Sequence, residues 1–137
     1  MKKTISIVLA FILVFCVFGP IPKVEARYLY IKSIAAGLSI DSTGKCLCTG
    51  YADALNSQVI LTVFVELQRY NSTVPEWQKV AGTWSDTDNG LYPVLVSERC
   101  TVQQYGPYRV KVTVEVRSLN GVLLDREHMY SRELLYY

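Results

Sequence analysis

Cysteine is the residue type in this chain with the clearest chemistry. The sequence has 137 residues and four cysteines, one of which, Cys16, lies inside an apolar N-terminal run. The other three are Cys46, Cys48 and Cys100. Three thiols can form one disulfide and leave one cysteine over. That odd cysteine can stay buried as a small apolar residue, link two chains or bind a metal ion, and we expect burial.

The spacing Cys46-Leu47-Cys48 restricts how the three thiols can pair. Alternate residues of an extended strand point to the same face, and that geometry disfavours a bond between Cys46 and Cys48. One of them is therefore expected to pair with Cys100, as a staple between neighbouring strands of one sheet. Both alternatives remain open, and we favour the pair Cys48–Cys100.

The chain offers little else for catalysis or metal binding. A structural zinc site needs about four ligands, but only three cysteines follow the N-terminal run and the one histidine, His128, is distant in sequence. A Cys–His pair or a serine triad would need that same histidine, and no Gly-x-Ser-x-Gly motif occurs. We therefore predict no metal, no cofactor and no catalytic residue, in a protein that is not an enzyme.

Two carboxylates near a glycine form the strongest turn signal of the chain. Asp86 and Asp88 precede Asn89-Gly90, which resembles the start of a calcium-binding loop. An EF-hand loop has glycine at its sixth position and glutamate at its twelfth, whereas here Gly90 is fifth and Ser97 is twelfth. The sequence therefore favours a plain hairpin turn over a calcium site.

Short apolar runs with period-two alternation, separated by turn residues, predict the elements that position these side chains. The pattern indicates seven strands, at residues 33–40, 45–54, 59–70, 76–84, 92–102, 108–117 and 124–135. The sixth is the clearest, because valines alternate with polar residues from Val110 to Arg117. Strands of this length at this spacing predict one all-β domain over residues 27–137, an antiparallel β-sandwich.

The N-terminus predicts export. Lys2 and Lys3 precede an apolar run over residues 5–18, and Val24-Glu25-Ala26 offers small residues for cleavage. These are the parts of a secretory signal peptide, here residues 1–26, and the run is short for the alternative of a retained membrane anchor. We expect a secreted, extracellular protein that is not held at a membrane after signal removal.

Cleavage after residue 26 would also change the charge balance. It would remove three of the 14 basic residues and one of the 12 acidic residues, leaving 11 of each. A formally neutral chain lacks the electrostatic attraction that nucleic acids and anionic membranes exert on basic proteins. Neither is expected as a partner.

The segment Tyr105-Gly106-Pro107-Tyr108-Arg109-Val110 resembles the tyrosine corner that opens the sixth strand of immunoglobulin-like sandwiches. With the strand pattern, it makes the chain similar to fibronectin-type-III and related domains. The chain is also similar to a group of small secreted Firmicutes proteins classed as a domain of unknown function. The segments that carry this second resemblance are Ala36-Gly37-Leu38-Ser39-Ile40, Leu67-Gln68-Arg69-Tyr70, Trp77-Gln78-Lys79-Val80 and Tyr108-Arg109-Val110-Lys111-Val112. It implies a bacterial origin and the sandwich fold, but no activity.

Aromatic side chains near strand ends are the remaining candidates for function. Trp77, Tyr70 and Tyr105 could stack on sugar rings or anchor a protein partner, although aromatic residues also serve simply as core. We predict a non-catalytic binding module for an extracellular protein or glycan. The alternative is a small secreted effector, such as an antimicrobial, a toxin or an enzyme inhibitor. The protein is expected to be a monomer or a dimer linked weakly through the odd cysteine.

Overall fold

The structure is a computed structural model that describes residues 29–137. The signal peptide predicted at residues 1–26 lies outside the described residues. Eight strands follow one another along the chain: β1 (Ile31–Ile40), β2 (Lys45–Ala54), β3 (Val59–Asn71), β4 (Glu76–Asp88), β5 (Val94–Thr101), β6 (Gly106–Ser118), β7 (Leu123–Tyr130) and β8 (Leu134–Tyr136). Within this part of the chain, no helix has the length and apolar character needed to cross a membrane.

The strands form two antiparallel sheets that pack face to face. One sheet has the order β1-β2-β5, and the other has the order β4-β3-β6-β7 with β8 paired to the start of β6. Apolar residues alternate inward along the central strands, which gives each sheet one buried face. The predicted all-β immunoglobulin-like sandwich is confirmed.

Valines and leucines of β3 and β6 form the middle of the core. Val63 lies opposite Val114 and Val65 lies opposite Val112 in the antiparallel register, and all four side chains are fully buried. Gly50 of β2 faces this group from the other sheet, where a Cβ atom would collide with Val65 and lie 3.0 Å from Cγ2 of Val112. The missing side chain of Gly50 therefore sets how closely the two sheets approach.

The last predicted strand is interrupted. Residues 131–133 separate β7 from β8, and the backbone N–H of Ser131 donates to the carbonyl of Val110 at 2.9 Å. Its hydroxyl oxygen also accepts a hydrogen bond from the Val110 N–H at 2.8 Å. A side chain thus replaces a backbone acceptor in the ladder, and the chain bends before it rejoins β6 as β8.

The turn at Asn89-Gly90 does not close a hairpin, and that expectation was wrong. Strand β4 continues to Asp88 because β3 is long enough to pair with it there, including a 2.9 Å hydrogen bond between the hydroxyls of Thr62 and Thr87. The turn then carries the chain into β5, which belongs to the other sheet. Gly90 has the positive φ, 75°, that such a turn requires.

The tyrosine corner is present. Tyr108 is 1% exposed, and its hydroxyl donates to the carbonyl oxygen of Gln104 at 2.6 Å. Burial raises the pKa of the Tyr108 hydroxyl. The hydrogen bond fixes the loop that crosses from β5 to β6, as the sequence resemblance implied.

Replacing Gly50 with alanine tests the close approach of the sheets. The added methyl group would overpack the core, and we expect a loss of about 1–3 kcal/mol in the free energy of unfolding, measured by urea denaturation. Gly82→Ala is the matched control, because no atom lies within 4 Å of a Cβ added to that glycine in β4. Equal urea midpoints for the two variants would contradict the packing described here.

Candidate functional site

A stack of three side chains lies on the outer face of the five-stranded sheet, and we call it the guanidinium stack: Trp77, Arg109 and Tyr130. The Cζ atom of Arg109 lies 4.2 Å from the ring centroid of Trp77 and 4.1 Å from that of Tyr130. Both faces of the guanidinium group are therefore covered by aromatic rings. Such cation–π contacts are each worth about 0.5–2 kcal/mol.

Strand alternation explains how these residues meet. Tyr108 and Val110 point into the core, so Arg109 between them points outward. Trp77 near the start of β4 reaches Arg109 across β3, and Tyr130 at the end of β7 reaches it from the neighbouring strand on the other side. Trp77 is half-buried in this arrangement, whereas Tyr130 remains 45% exposed.

Gln68 orients the side chain of Arg109 through a hydrogen bond. Its side chain is 7% exposed, and its Oε1 atom accepts a hydrogen bond from Nε of Arg109 at 2.9 Å. Its Nε2 atom donates to Glu66 at 2.7 Å, which fixes the orientation of the amide. Among residues 29–137, no group accepts a hydrogen bond from Nη1 or Nη2 of Arg109. The stack therefore presents an oriented pair of unused cationic donors, the geometry that binds carboxylate or sulfate groups.

The structure brings together two of the three aromatic residues predicted as binding candidates. The rings of Tyr70 and Trp77 lie with their centroids 5.5 Å apart, at the edge of the guanidinium stack. Tyr105 is elsewhere: it is 69% exposed, and its ring pairs with Tyr136 at 5.4 Å. Trp84 of β4 lies opposite the buried Val65 and packs against the core.

Arg109, Tyr130 and Gln68 were missed as site residues. The sequence does place Arg109 on the polar face of the sixth strand, but that pattern indicates only a solvated face with cross-strand pairs. The signal that could have found it is the coincidence of one outward arginine with aromatic residues at the ends of two other strands. Only the strand order shows that these ends are adjacent.

The single histidine and Cys100 lie on different sheets. His128 is exposed on β7, where its Nδ1 atom lies 3.0 Å from the hydroxyl of Thr113. Cys100 lies on β5 in the opposite sheet. The two residues that a Cys–His mechanism would need are therefore on different sheets.

An ion-pair group lies on the same outer face as the stack, toward the other end of β6. Glu115 accepts hydrogen bonds from Arg126 at 3.1 Å and from Arg117 at 3.0 Å. The hydrogen bond from Arg126 lowers the pKa of Glu115 below its usual value of 4.5, against a raising effect of burial, and Arg117 lowers the pKa further. Both arginines have their charge satisfied here, unlike Arg109.

The Cys46–Cys100 disulfide corrects one prediction. The cysteine that pairs with Cys100 is Cys46 and not Cys48. Cys46 lies directly opposite Cys100 in the register of β2 and β5, with 5.3 Å between their Cα atoms, whereas Cys48 lies opposite Glu98. The position of the staple within one sheet is confirmed. Cys48 is the free cysteine; it is fully buried, and burial raises the pKa of its thiol to about 11.

A cleft opens beside this disulfide, between the unpaired edges of β4 and β5. Its volume is about 260 Å³, and Cys100, Val80, Leu67 and Tyr108 are among the residues that line it. Val80 lies four residues before Trp84, so regular strand alternation would point both side chains toward the core. Val80 is instead 44% exposed. The register of β3 and β4 shifts between Glu66 and Gln68, and this bulge turns the middle of β4 away from the core.

No family model matches this chain, and no curated protein matches it significantly.

The pH dependence of stability tests the Glu115 ion pairs. Because the pKa of Glu115 is lower in the folded protein than in the unfolded chain, its ionised form stabilises the fold above pH 4.5, and this contribution is lost as the pH falls through the lowered value. Solvent screening limits the contribution to roughly 0.5–1 kcal/mol. We expect Glu115→Gln to lose that amount at pH 7 and progressively less as the pH falls below 4.5, by urea denaturation.

Glu98→Gln is the control, since Glu98 is exposed on β5 and forms no ion pair with any described residue. A Glu115→Gln deficit that persisted unchanged at pH 3 would contradict the assignment.

Peptide mass spectrometry tests the disulfide assignment. Cys46 and Cys48 fall in one tryptic peptide, so fragmentation on either side of Leu47 must show that Cys46 carries the link to Cys100. The Cys48 thiol should react with an alkylating reagent only after unfolding. We also expect the double variant Cys46→Ala, Cys100→Ala to lose about 2–4 kcal/mol of stability. A link through Cys48 would overturn the assignment.

Proposed function

We propose that this protein is a secreted, non-catalytic recognition module that binds an extracellular protein or glycan through the guanidinium stack. The observation that carries the proposal is Arg109, whose guanidinium is oriented by Trp77, Tyr130 and Gln68 while its two Nη atoms donate to no described residue. Because contacts within the protein already restrict this side chain, it loses little conformational entropy when it binds a carboxylate or sulfate group.

The chemistry of the stack suits binding. A guanidinium group stays protonated at physiological pH, so Arg109 can bind an anion but cannot exchange a proton with it. Tyr130, which is 45% exposed, adds aromatic surface on one side of Arg109, and Tyr70 and Trp77 add it on the other side. A ligand with one acidic group next to an apolar or ring surface would match these features.

Secretion is supported by the N-terminal sequence and is compatible with the disulfide, because disulfides persist mainly outside the reducing cytosol. Cys48 supports a monomer, since its fully buried sulfur is out of reach of a second chain in the folded state. A mature chain that begins at Arg27, measured as the intact mass of the exported protein, is the expected result. A mass that retains residues 1–26 would contradict it. Membership of a small secreted Firmicutes family stays a prediction.

Binding to defined polysaccharides tests the role of the stack. We would immobilise uronate-bearing, sulfated and neutral polysaccharides, together with peptides that do or do not end in a free carboxylate. We expect saturable binding to at least one acidic probe, weaker at higher salt, and no binding to its neutral counterpart. Arg109→Gln should reduce the affinity by about tenfold or more, because a charged hydrogen-bonding pair is worth about 1.5–3 kcal/mol.

Arg99→Gln is the matched control, because Arg99 is exposed on β5, in the opposite sheet. It should bind as the unmodified protein does, and both variants should retain the far-ultraviolet circular dichroism of the parent. Equal binding by the Arg109→Gln variant would refute the proposed surface. Failure of every probe, together with inhibition of bacterial growth by the pure protein, would instead favour the effector.

A further inference from the structure

The three cysteines of the described chain form one cluster in the core. The sulfur atoms of Cys46, Cys48 and Cys100 all lie within 4.8 Å of one another. Two features of the sheet bring them together: Cys46 and Cys48 share one face of β2, and Cys100 lies opposite Cys46 on β5. The free thiol therefore adjoins the disulfide inside the same buried layer.

We propose that, once the disulfide is reduced, these three cysteines together bind one trivalent, thiol-binding metalloid ion such as arsenic(III). This site is separate from the guanidinium stack, and its occupancy does not depend on the proposed function.

The separation of the sulfur atoms fits a three-coordinate centre. Arsenic(III) bound by three thiolates is pyramidal because it keeps a lone pair, and with bonds of about 2.3 Å its three sulfurs lie about 3.5 Å apart. The cluster is already within 4.8 Å, and loss of the Cys46–Cys100 bond frees those two sulfurs to separate. Among residues 29–137, no fourth cysteine, histidine or carboxylate joins the group. A tetrahedral ion such as zinc would lack a protein ligand here.

Charge decides which three-coordinate ion suits the site. Cys48 is fully buried and Cys46 is 3% exposed, so the site lies out of contact with solvent that could screen a charge. Three thiolates around arsenic(III) give a neutral complex, whereas the same ligands leave one negative charge around a divalent ion and two around copper(I). Burying an uncompensated charge in an apolar core is costly, so the neutral complex is favoured.

Two balanced steps lead to the complex. A small dithiol reductant gives two electrons and two protons to the Cys46–Cys100 disulfide and is itself oxidised to a disulfide. Arsenous acid, As(OH)₃, then condenses with the three thiols: three As–O bonds and three S–H bonds break, three As–S bonds form, three water molecules leave, and arsenic stays trivalent. Half-buried Cys100 lines the cleft of about 260 Å³, through which both reagents can reach the cluster.

The test compares two arsenicals on the mature protein after reduction with a phosphine, which contributes no thiol. Arsenite can bond three sulfurs, but a phenylarsonous acid can bond only two because its third bond is to carbon. Native mass spectrometry should show arsenite bound with loss of three waters, and the phenylarsonous adduct with loss of two. Arsenite bound with only two waters lost would overturn the three-sulfur site.

The variant Cys48→Ala isolates the third ligand. We expect its arsenite affinity to fall by about 10²-fold, because a third attachment within one scaffold typically contributes 10²–10⁴-fold. Its affinity for the phenylarsonous acid should not change. Arsenite should also raise the melting temperature of the reduced unmodified protein more than that of the variant, since the ion binds the folded cluster. Equal arsenite affinities, no rise in melting temperature, or tighter binding of copper(I) than of arsenite would each refute the proposal.

Discussion

The packing of β3 and β6 against β2 is the constraint on which the rest of the structure depends. Valines of the two central strands fill the space between the sheets, and Gly50 allows the second sheet to approach them closely. Once that inner face is fixed, period-two alternation fixes the outer face as well. A shift of one residue in β6 would expose its valines and would also bury Arg109.

Both candidate sites follow from the same alternation, one on the outer face of the five-stranded sheet and one on the inner face of the three-stranded sheet. On the outer face of the five-stranded sheet, the position between Tyr108 and Val110 projects Arg109 between two aromatic rings. On the inner face of the three-stranded sheet, alternate positions of β2 place Cys46 and Cys48 beside Cys100. The exposed site carries a permanent cation that suits an anionic ligand, whereas the buried site suits a neutral complex. The difference in solvent access explains why a net charge is tolerated at the first site and disfavoured at the second.

Irregularities in the strands matter as much as their regular parts. The bulge that moves Val80 outward opens the cleft next to the disulfide. The interruption at Ser131 ends β7 directly after Tyr130, where that ring can cover the guanidinium of Arg109. Local breaks in pairing are common next to functional sites, because they redirect side chains that a regular strand would hold elsewhere.

The sequence by itself determined the sandwich, the strand at 45–54 to the residue, the tyrosine corner and a staple between the second and fifth strands. These depend on local alternation and turn chemistry, which are readable from neighbouring residues. Only the tertiary structure decided that Cys46 and not Cys48 faces Cys100, because both have the same parity and register alone separates them. It also decided that β4 and β5 lie in different sheets and that Trp77, Arg109 and Tyr130 meet. Contacts between residues so far apart in sequence depend on strand order, which local patterns do not encode.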